Sequence, residues 1–258
     1  MSDTALDYLV GSPVRVETLR AFRADGILSA RELDDRLSAS RRTLKRTLRE
    51  MCSRGWIREV DDAYELTSLG GMLLSAYEEF RDRECTAERL RPVFEQTPAA
   101  AVDLDVEAAA DATVVDTDDD PTDPIDHLLD LRANATELRE CAPYLLYDSV
   151  EQLAERVTDE SSPPDVTLVL GTTSPPMERF PAGYREHFDA MVDAPSVDVY
   201  AHPDDIRFSF GIADDHAFVV GVNLDGVAHT LLESDDPAVV DWATRRFETY
   251  RVAAAPRS

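Results

Sequence analysis

Apolar residues recur at helical spacing through the first eighty positions. Ser12-Pro13 reads as an N-cap followed by proline at the first helical position, and Val16, Leu19 and Phe22 then line one face as far as Gly26. Ser29-Ala30-Arg31-Glu32 has the S-x-x-E pattern of a capping box, with Leu33 and Leu37 as the buried stripe of a short second helix. Ser40 caps a third helix, running to Arg54, whose Leu44, Leu48 and Met51 recur at i, i+4 and i+7. At about 100° per residue, Arg42, Lys45, Arg46 and Arg49 fall opposite that stripe, with Arg41 on the flank. Gly55 ends the helix, Trp56 to Val60 reads as a strand, Asp61-Asp62 as a turn and Ala63 to Leu66 as a returning strand. Thr67 then caps a helix carrying Leu69, Met72, Leu73, Ala76, Tyr77 and Phe80.

The pattern changes beyond it. Residues 97 to 124 are rich in Ala, Asp, Pro and Thr, as in a solvated linker or an irregular arm, although Val102, Leu104 and Val106 alternate as a short strand would. Helices are expected at Ile125 to Ala135, Asp148 to Val157, Pro181 to Val192 and Asp236 to Val252. Strands are expected at Tyr144 to Tyr147, Val166 to Leu170, Val197 to Tyr200, Arg207 to Ala213, Ala217 to Leu224 and Val227 to Leu232. The division that follows is an α+β domain over 1–66, a connecting helix and acidic linker over 67–122, and a three-layer α/β domain with a mixed sheet over 123–258.

The net charge of −26 looks wrong for a nucleic-acid binder until it is divided along the chain. Residues 1–58 carry twelve basic and eight acidic side chains, net +4, whereas the remainder carries fourteen and forty-four, net −30. Such asymmetry is expected of a nucleic-acid-binding module attached to something else. Lys45 is the only lysine beside 25 arginines, and Asp outnumbers Glu 32 to 20, a balance that resembles proteins of salt-accumulating archaea. Cys52, Cys85 and Cys141 are isolated and suggest neither a disulfide framework nor a zinc site. The N-terminus lacks the regions of a secretion signal and no apolar run approaches a membrane span, so a cytoplasmic location away from membranes is expected.

A short helix, a tight turn and a longer basic helix make a helix-turn-helix, whose second helix enters the major groove. The run Ser40-Arg41-Arg42-Thr43-Leu44-Lys45-Arg46-Thr47-Leu48-Arg49-Glu50-Met51 to Gly55-Trp56-Ile57, with Tyr64-Glu65-Leu66-Thr67-Ser68-Leu69-Gly70 after the hairpin, closely resembles archaeal winged helix regulators over about 70 residues. The resemblance implies that Arg41, Arg42, Thr43, Lys45 and Arg46 face the groove of double-stranded DNA, with Ser40 at the helix start and Arg49, Arg54 and Arg58 nearer phosphates. A homodimer on a pseudopalindromic operator is the expected assembly. The rival reading is a non-catalytic scaffold that uses the winged helix for protein contacts.

The second half carries its own resemblance. Asp123-Pro124-Ile125-Asp126-His127-Leu128-Leu129, Asp204-Asp205-Ile206-Arg207-Phe208-Ser209-Phe210-Gly211-Ile212, Val219-Val220-Gly221-Val222 and the segment from Ser234 to Arg251 look like the effector domain of regulators named after the methanogenesis (filament) regulatory protein. That resemblance implies a signal- or ligand-receiving domain with a fold related to phospholipase-D-like sensors, and it transfers no ligand residues. Phospholipase-D chemistry needs H-x-K-x4-D, whereas His202 is followed by Pro203-Asp204, and no G-x-S-x-G, P-loop or G-x-G-x-x-G is present. The expectation is a regulator, not an enzyme, with neither cofactor nor metal. Asp214-Asp215-His216 reads as a polar turn. Polar groups beside the apolar strands make Tyr144, Tyr147, Ser149, Thr172, Thr173, His202, Arg207 and Ser209 the candidates for contact with a small-molecule effector.

Overall fold

The computed structural model describes residues 4–95, 102–118, 120–159, 162–171, 180–222 and 228–257. The chain divides into two compact units, Met1–Cys85 and Thr86–Ser258.

The first unit opens with a helix absent from the sequence expectations, α1 (Ala5–Val10), held by a Thr4–Asp7 capping box. Then come α2 (Pro13–Asp25), β1 (Leu28–Ser29), α3 (Ala30–Arg36), α4 (Arg41–Ser53), β2 (Ile57–Val60) and β3 (Ala63–Leu66). The Ser29–Glu32 capping box forms as expected, but Leu37 lies outside α3 in extended backbone and closes it as the C-cap. Strands β2 and β3 pair Ile57 with Leu66 and Val60 with Ala63 around Asp61 and Asp62, which both take positive φ, and β1 adds to β3 as a third strand. Trp56 stays outside β2 and is buried edge-on against Tyr8, 5.4 Å between ring centroids.

Leu44, Leu48 and Met51 of α4 join Leu19, Phe22, Leu33 and Ile57 in one core. Each such side chain contributes about 1.5–3 kcal/mol by leaving water, which fixes the face that α4 turns outward. Helix α5 (Ser68–Phe94) runs well past Phe80. Its expected single apolar face divides in two: Leu74 is buried and Leu73 and Tyr77 pack against the core, whereas Leu69, Met72 and Phe80 are exposed. Gly70 permits the close approach of α5 to the hairpin, since a Cβ there would lie 2.1 Å from the Trp56 carbonyl oxygen.

The second unit is built on an eight-stranded mixed sheet. Its strands are β4 (Thr113–Asp116), β5 (Glu137–Ala142), β6 (Asp165–Leu170), β7 (Val197–Ala201), β8 (Ser209–Ala213), β9 (His216–Val222), β10 (Ala228–Ser234) and β11 (Ala255–Pro256), in spatial order β11-β7-β6-β5-β8-β9-β10-β4. Strands β5, β6 and β7 are parallel, and β8, β9, β10 and β4 continue antiparallel from β5. Alternate residues feed two cores. On one face Leu138, Leu168, Val199 and Phe218 pack with α6 (Asp123–Asn134), α7 (Tyr147–Asp159) and α8 (Tyr184–Val192). On the other, Cys141, Val169, Phe210 and Leu232 pack with α9 (Pro237–Ala253) and with Leu90 and Val93 of α5. The Cys141 thiol is pushed up strongly by burial and behaves as a small apolar group.

Several expectations are corrected. Val102 and Leu104 form no strand but pack against the second core, and the pairing at that sheet edge belongs to Thr113–Asp116. Tyr144 to Tyr147 is not a strand: the chain turns there, and Tyr147 begins α7. Helix α8 starts at Tyr184 instead of Pro181, because Gly183 at φ 96 sets its beginning. Asp214, in the turn between β8 and β9, takes a positive φ and accepts hydrogen bonds from the backbone N–H groups of Thr136 (3.0 Å) and Glu137 (2.9 Å), which ties that turn to the start of β5.

Candidate functional site

Two regions could meet a partner. The first is the outer face of α4. Ser40 is the N-cap, its Oγ accepting from the Thr43 N–H at 3.2 Å and lying 2.9 Å from the Thr43 hydroxyl, so both side chains are engaged at the helix start. Arg42, Lys45, Arg46 and Arg49 are exposed and occur within eight positions on the side away from Leu44, Leu48 and Met51. Among the described residues, none of these four has a recorded ion pair, whereas the flanking arginines are committed. Arg41 bonds Asp34 at 2.8 Å, and Arg58 pairs across the hairpin with Glu65.

Arg54 departs from the expected phosphate-facing position. Its guanidinium lies 4.3 Å from the Tyr8 ring centroid and bonds Glu50 at 3.0 Å, while Arg15 covers Tyr8 at 3.9 Å. Stacking on an aromatic ring shields the cation from water and anchors α1 to the core, so Arg54 belongs to the packing and not to the open cationic strip.

The second region is a cavity of about 140 Å³ at the C-terminal end of β5, where the parallel and antiparallel halves of the sheet meet. Ligands in open α/β sheets favour that location. Ile125 and Leu128 of α6, Leu145 and Leu146 of the loop after β5, and Val220 and Ala228 supply apolar wall. Three expected residues meet here, Tyr144, Ser149 and Ser209. Beside it Tyr144 begins an aromatic series, 6.1 Å edge-on to Phe180, which stacks on Tyr184 at 4.0 Å. The Tyr184 hydroxyl donates to the Leu145 carbonyl at 2.9 Å, and burial raises its pKa to about 12.

The cavity's most polar feature was missed from sequence. Arg132 of α6 and Glu140 of β5 are both about 1% exposed and form a bidentate pair, Nε to Oε2 at 3.1 Å and Nη2 to Oε1 at 2.5 Å. The signal was present: Arg132 falls at i+4 from Leu128 and i+7 from Ile125, inside an apolar stripe.

Of the other expected ligand residues, Tyr147, His202 and Arg207 are not brought to this cavity. Tyr147 turns its hydroxyl to Glu151 at 2.9 Å. His202 lies on the opposite face, its ring 5.0 Å from that of Tyr250 and its Nδ1 accepting from the Asp204 N–H at 3.1 Å, beside a separate, more polar concavity of about 460 Å³. Arg207 precedes β8 and is exposed. Thr172 and Thr173 lie outside the described residues. Among the described residues no cluster of three His, Cys, Asp or Glu side chains could hold a metal, and no helix is long and apolar enough to cross a membrane.

A small unit presenting an open cationic helix, followed by a mixed-sheet unit with a largely apolar cavity, has the build of a two-part regulator. The chain belongs to the family of the methanogenesis regulatory protein FilR1, whose middle domain matches residues 121–253. Residues 3–89 match the HVO_A0261 N-terminal domain. No curated protein matches the chain. Among solved structures, TrmBL2, described as an archaeal chromatin protein with a novel mode of DNA binding, is 14% identical across the whole of both chains, with a TM-score of 0.42. Nuc, a phospholipase D family member from Salmonella typhimurium, is 8% identical over 57% of this chain and 97% of its own, with a TM-score of 0.43. Neither likeness is close enough to bear on mechanism.

Proposed function

We propose that this chain is a cytoplasmic, sequence-specific DNA-binding transcriptional regulator. In this reading the first unit is a winged helix-turn-helix in which α4 reads the major groove, β2 and β3 form the wing, and the second unit receives a small-molecule signal. The observation that carries it is the strip Arg42, Lys45, Arg46 and Arg49, exposed and, among the described residues, without ion pairs, on a helix whose opposite face is locked into the core. Arginine forks at the start of such a helix suit the O6 and N7 atoms of guanine, and the remaining cations suit phosphates.

The chain acts as a homodimer that sets two recognition helices about 34 Å apart on a pseudopalindromic operator. The exposed residues Leu69, Met72 and Phe80 recur along one side of α5 and supply an apolar seam for a second copy. A ligand shifts DNA affinity only by the difference in its binding to the two dimer geometries. No catalytic step or cofactor enters this reading.

Genomic occupancy mapping of Arg42→Ala/Arg46→Ala beside the wild-type chain tests it. Loss of discrete occupied sites with unchanged folding is the expected result. Unchanged occupancy sinks the DNA reading and favours a protein-interaction scaffold.

A further inference from the structure

The cavity at the end of β5 carries a sharper reading of the second unit, one that rests on its proposed role as a signal receiver. Its volume of about 140 Å³ is close to the roughly 150 Å³ of an apolar cavity known to admit benzene, so it accommodates one ring or an aliphatic group of similar bulk. Most of its wall is aliphatic.

The Arg132–Glu140 pair is the exception. Glu140 takes the Nε and Nη2 donors of Arg132, but Nη1 is buried and has no hydrogen-bond partner among the described residues. A buried donor without an acceptor is unfavourable, and its neighbourhood selects a group that supplies one. The charge of that group is also constrained. Glu140 already neutralises the guanidinium, so a second carboxylate would add an uncompensated negative charge beside Glu140 in a site shielded from water. A neutral oxygen satisfies Nη1 without that penalty.

We infer that this cavity binds a small, uncharged, single-ring-sized molecule that is apolar apart from a carbonyl-type oxygen accepting a hydrogen bond from Arg132 Nη1. Tyr144, Ser149 and Ser209 on the wall add the means to discriminate among such molecules by a second polar group.

Isothermal titration of the full chain without DNA, using acetophenone, toluene and benzoate as single-ring probes, tests the assignment. Saturable one-to-one binding of acetophenone is expected, with toluene at least tenfold weaker and benzoate not bound. In Arg132→Met/Glu140→Leu the preference for acetophenone over toluene is expected to vanish, and Ala228→Leu, which fills the cavity, is expected to abolish binding of both. Equal binding of toluene and acetophenone by the wild-type chain, or tighter binding of benzoate, overturns the inference. So does the absence of saturable binding by every probe, the behaviour of a cavity occupied by water alone. The wild-type series decides even if a variant fails to fold. Arg42→Ala/Arg46→Ala is expected to bind acetophenone as the wild-type chain does, so failure of the DNA reading is told apart from failure of this one.

Discussion

Removing one partner of the Arg132–Glu140 pair is expected to cost far more than removing both. Both residues are about 1% exposed, so Arg132→Met leaves the Glu140 carboxylate without water and without its two-point donor. An uncompensated buried charge of this kind costs about 3–5 kcal/mol. For a unit of this size, at about 2–4 °C per kcal/mol, that corresponds to a melting temperature lowered by roughly 6–20 °C. Arg132→Met/Glu140→Leu removes both charges and leaves comparable apolar volume, so its stability should return to within about 1 kcal/mol of the wild type or exceed it. Urea unfolding followed by fluorescence reads this unit selectively in a Trp56→Phe background, because the only other tryptophan, Trp242, lies in its core. A loss below about 1 kcal/mol for Arg132→Met alone would refute the reasoning, as would a double variant as unstable as the two single losses added together.

Three further outcomes follow from the first unit. Gly70→Ala sets a Cβ 2.1 Å from the Trp56 carbonyl oxygen, so it should lower that unit's stability by about 1–3 kcal/mol or more, read by urea unfolding of a Trp242→Phe chain. The hydrogen bonds from Arg23, helped by Arg20, hold the Glu78 carboxyl below its usual range. The clamp between α2 and α5 is therefore fully present above the ordinary carboxylate pKa and is lost as pH falls through the lowered folded value. Acid unfolding curves should show Glu78→Gln flattening this fall, and an unchanged pH slope would contradict it. If the four exposed cations of α4, which have no ion pair among the described residues, contact phosphates as proposed, the ordinary counterion slope of about −0.9 per phosphate contact predicts roughly −3.6 in log affinity against log salt for each chain. Mobility shifts across a salt series should show a shallower or reversed slope, and the full ordinary slope would refute salt adaptation of the DNA contact.

The first unit was largely legible because its signals are local. Capping residues and a 3.6-residue apolar period lie within a few positions of what they specify, so α2, α3, α4 and the hairpin were placed within a residue or two. Helix α1 was overlooked although Thr4 and Asp7 form its capping box. The second unit was less legible because long-range pairing decides its elements. Strand β5 carries Glu137, Arg139 and Glu140, which argue against a strand until Arg132 is brought to Glu140 by α6. Tyr144 to Tyr147 has strand composition, but the chain turns there to wall a cavity that no periodicity announces. Of the six expected ligand residues that are described, Tyr144, Ser149 and Ser209 converge from the loop after β5, the first turn of α7 and the start of β8, while Tyr147, in the same turn of α7, commits its hydroxyl to Glu151.

The near-exclusive use of arginine ties these observations together. At several positions elsewhere in the chain its planar cation is consumed by structure. Arg15 and Arg54 cover Tyr8, Arg251 lies 3.2 Å from the Tyr200 ring centroid, and Arg89 and Arg156 donate to the carbonyls of Ala109, Ala110 and Ala135. Such contacts exploit the fork and the flat face of the guanidinium, features that salt screens far less than a bare charge. Under the proposed DNA-binding function, the same chemistry lets α4 hold a duplex while residues 59–258 carry a net charge of −30. Long-range attraction to phosphate is weak in that setting, so under the proposed function the affinity would come from arginine forks seated against base edges and from the area that a second copy would add through the seam on α5. Lys45, the single lysine, is the one cation of the strip without a fork, so its proposed DNA contact is the one that salt is expected to weaken first.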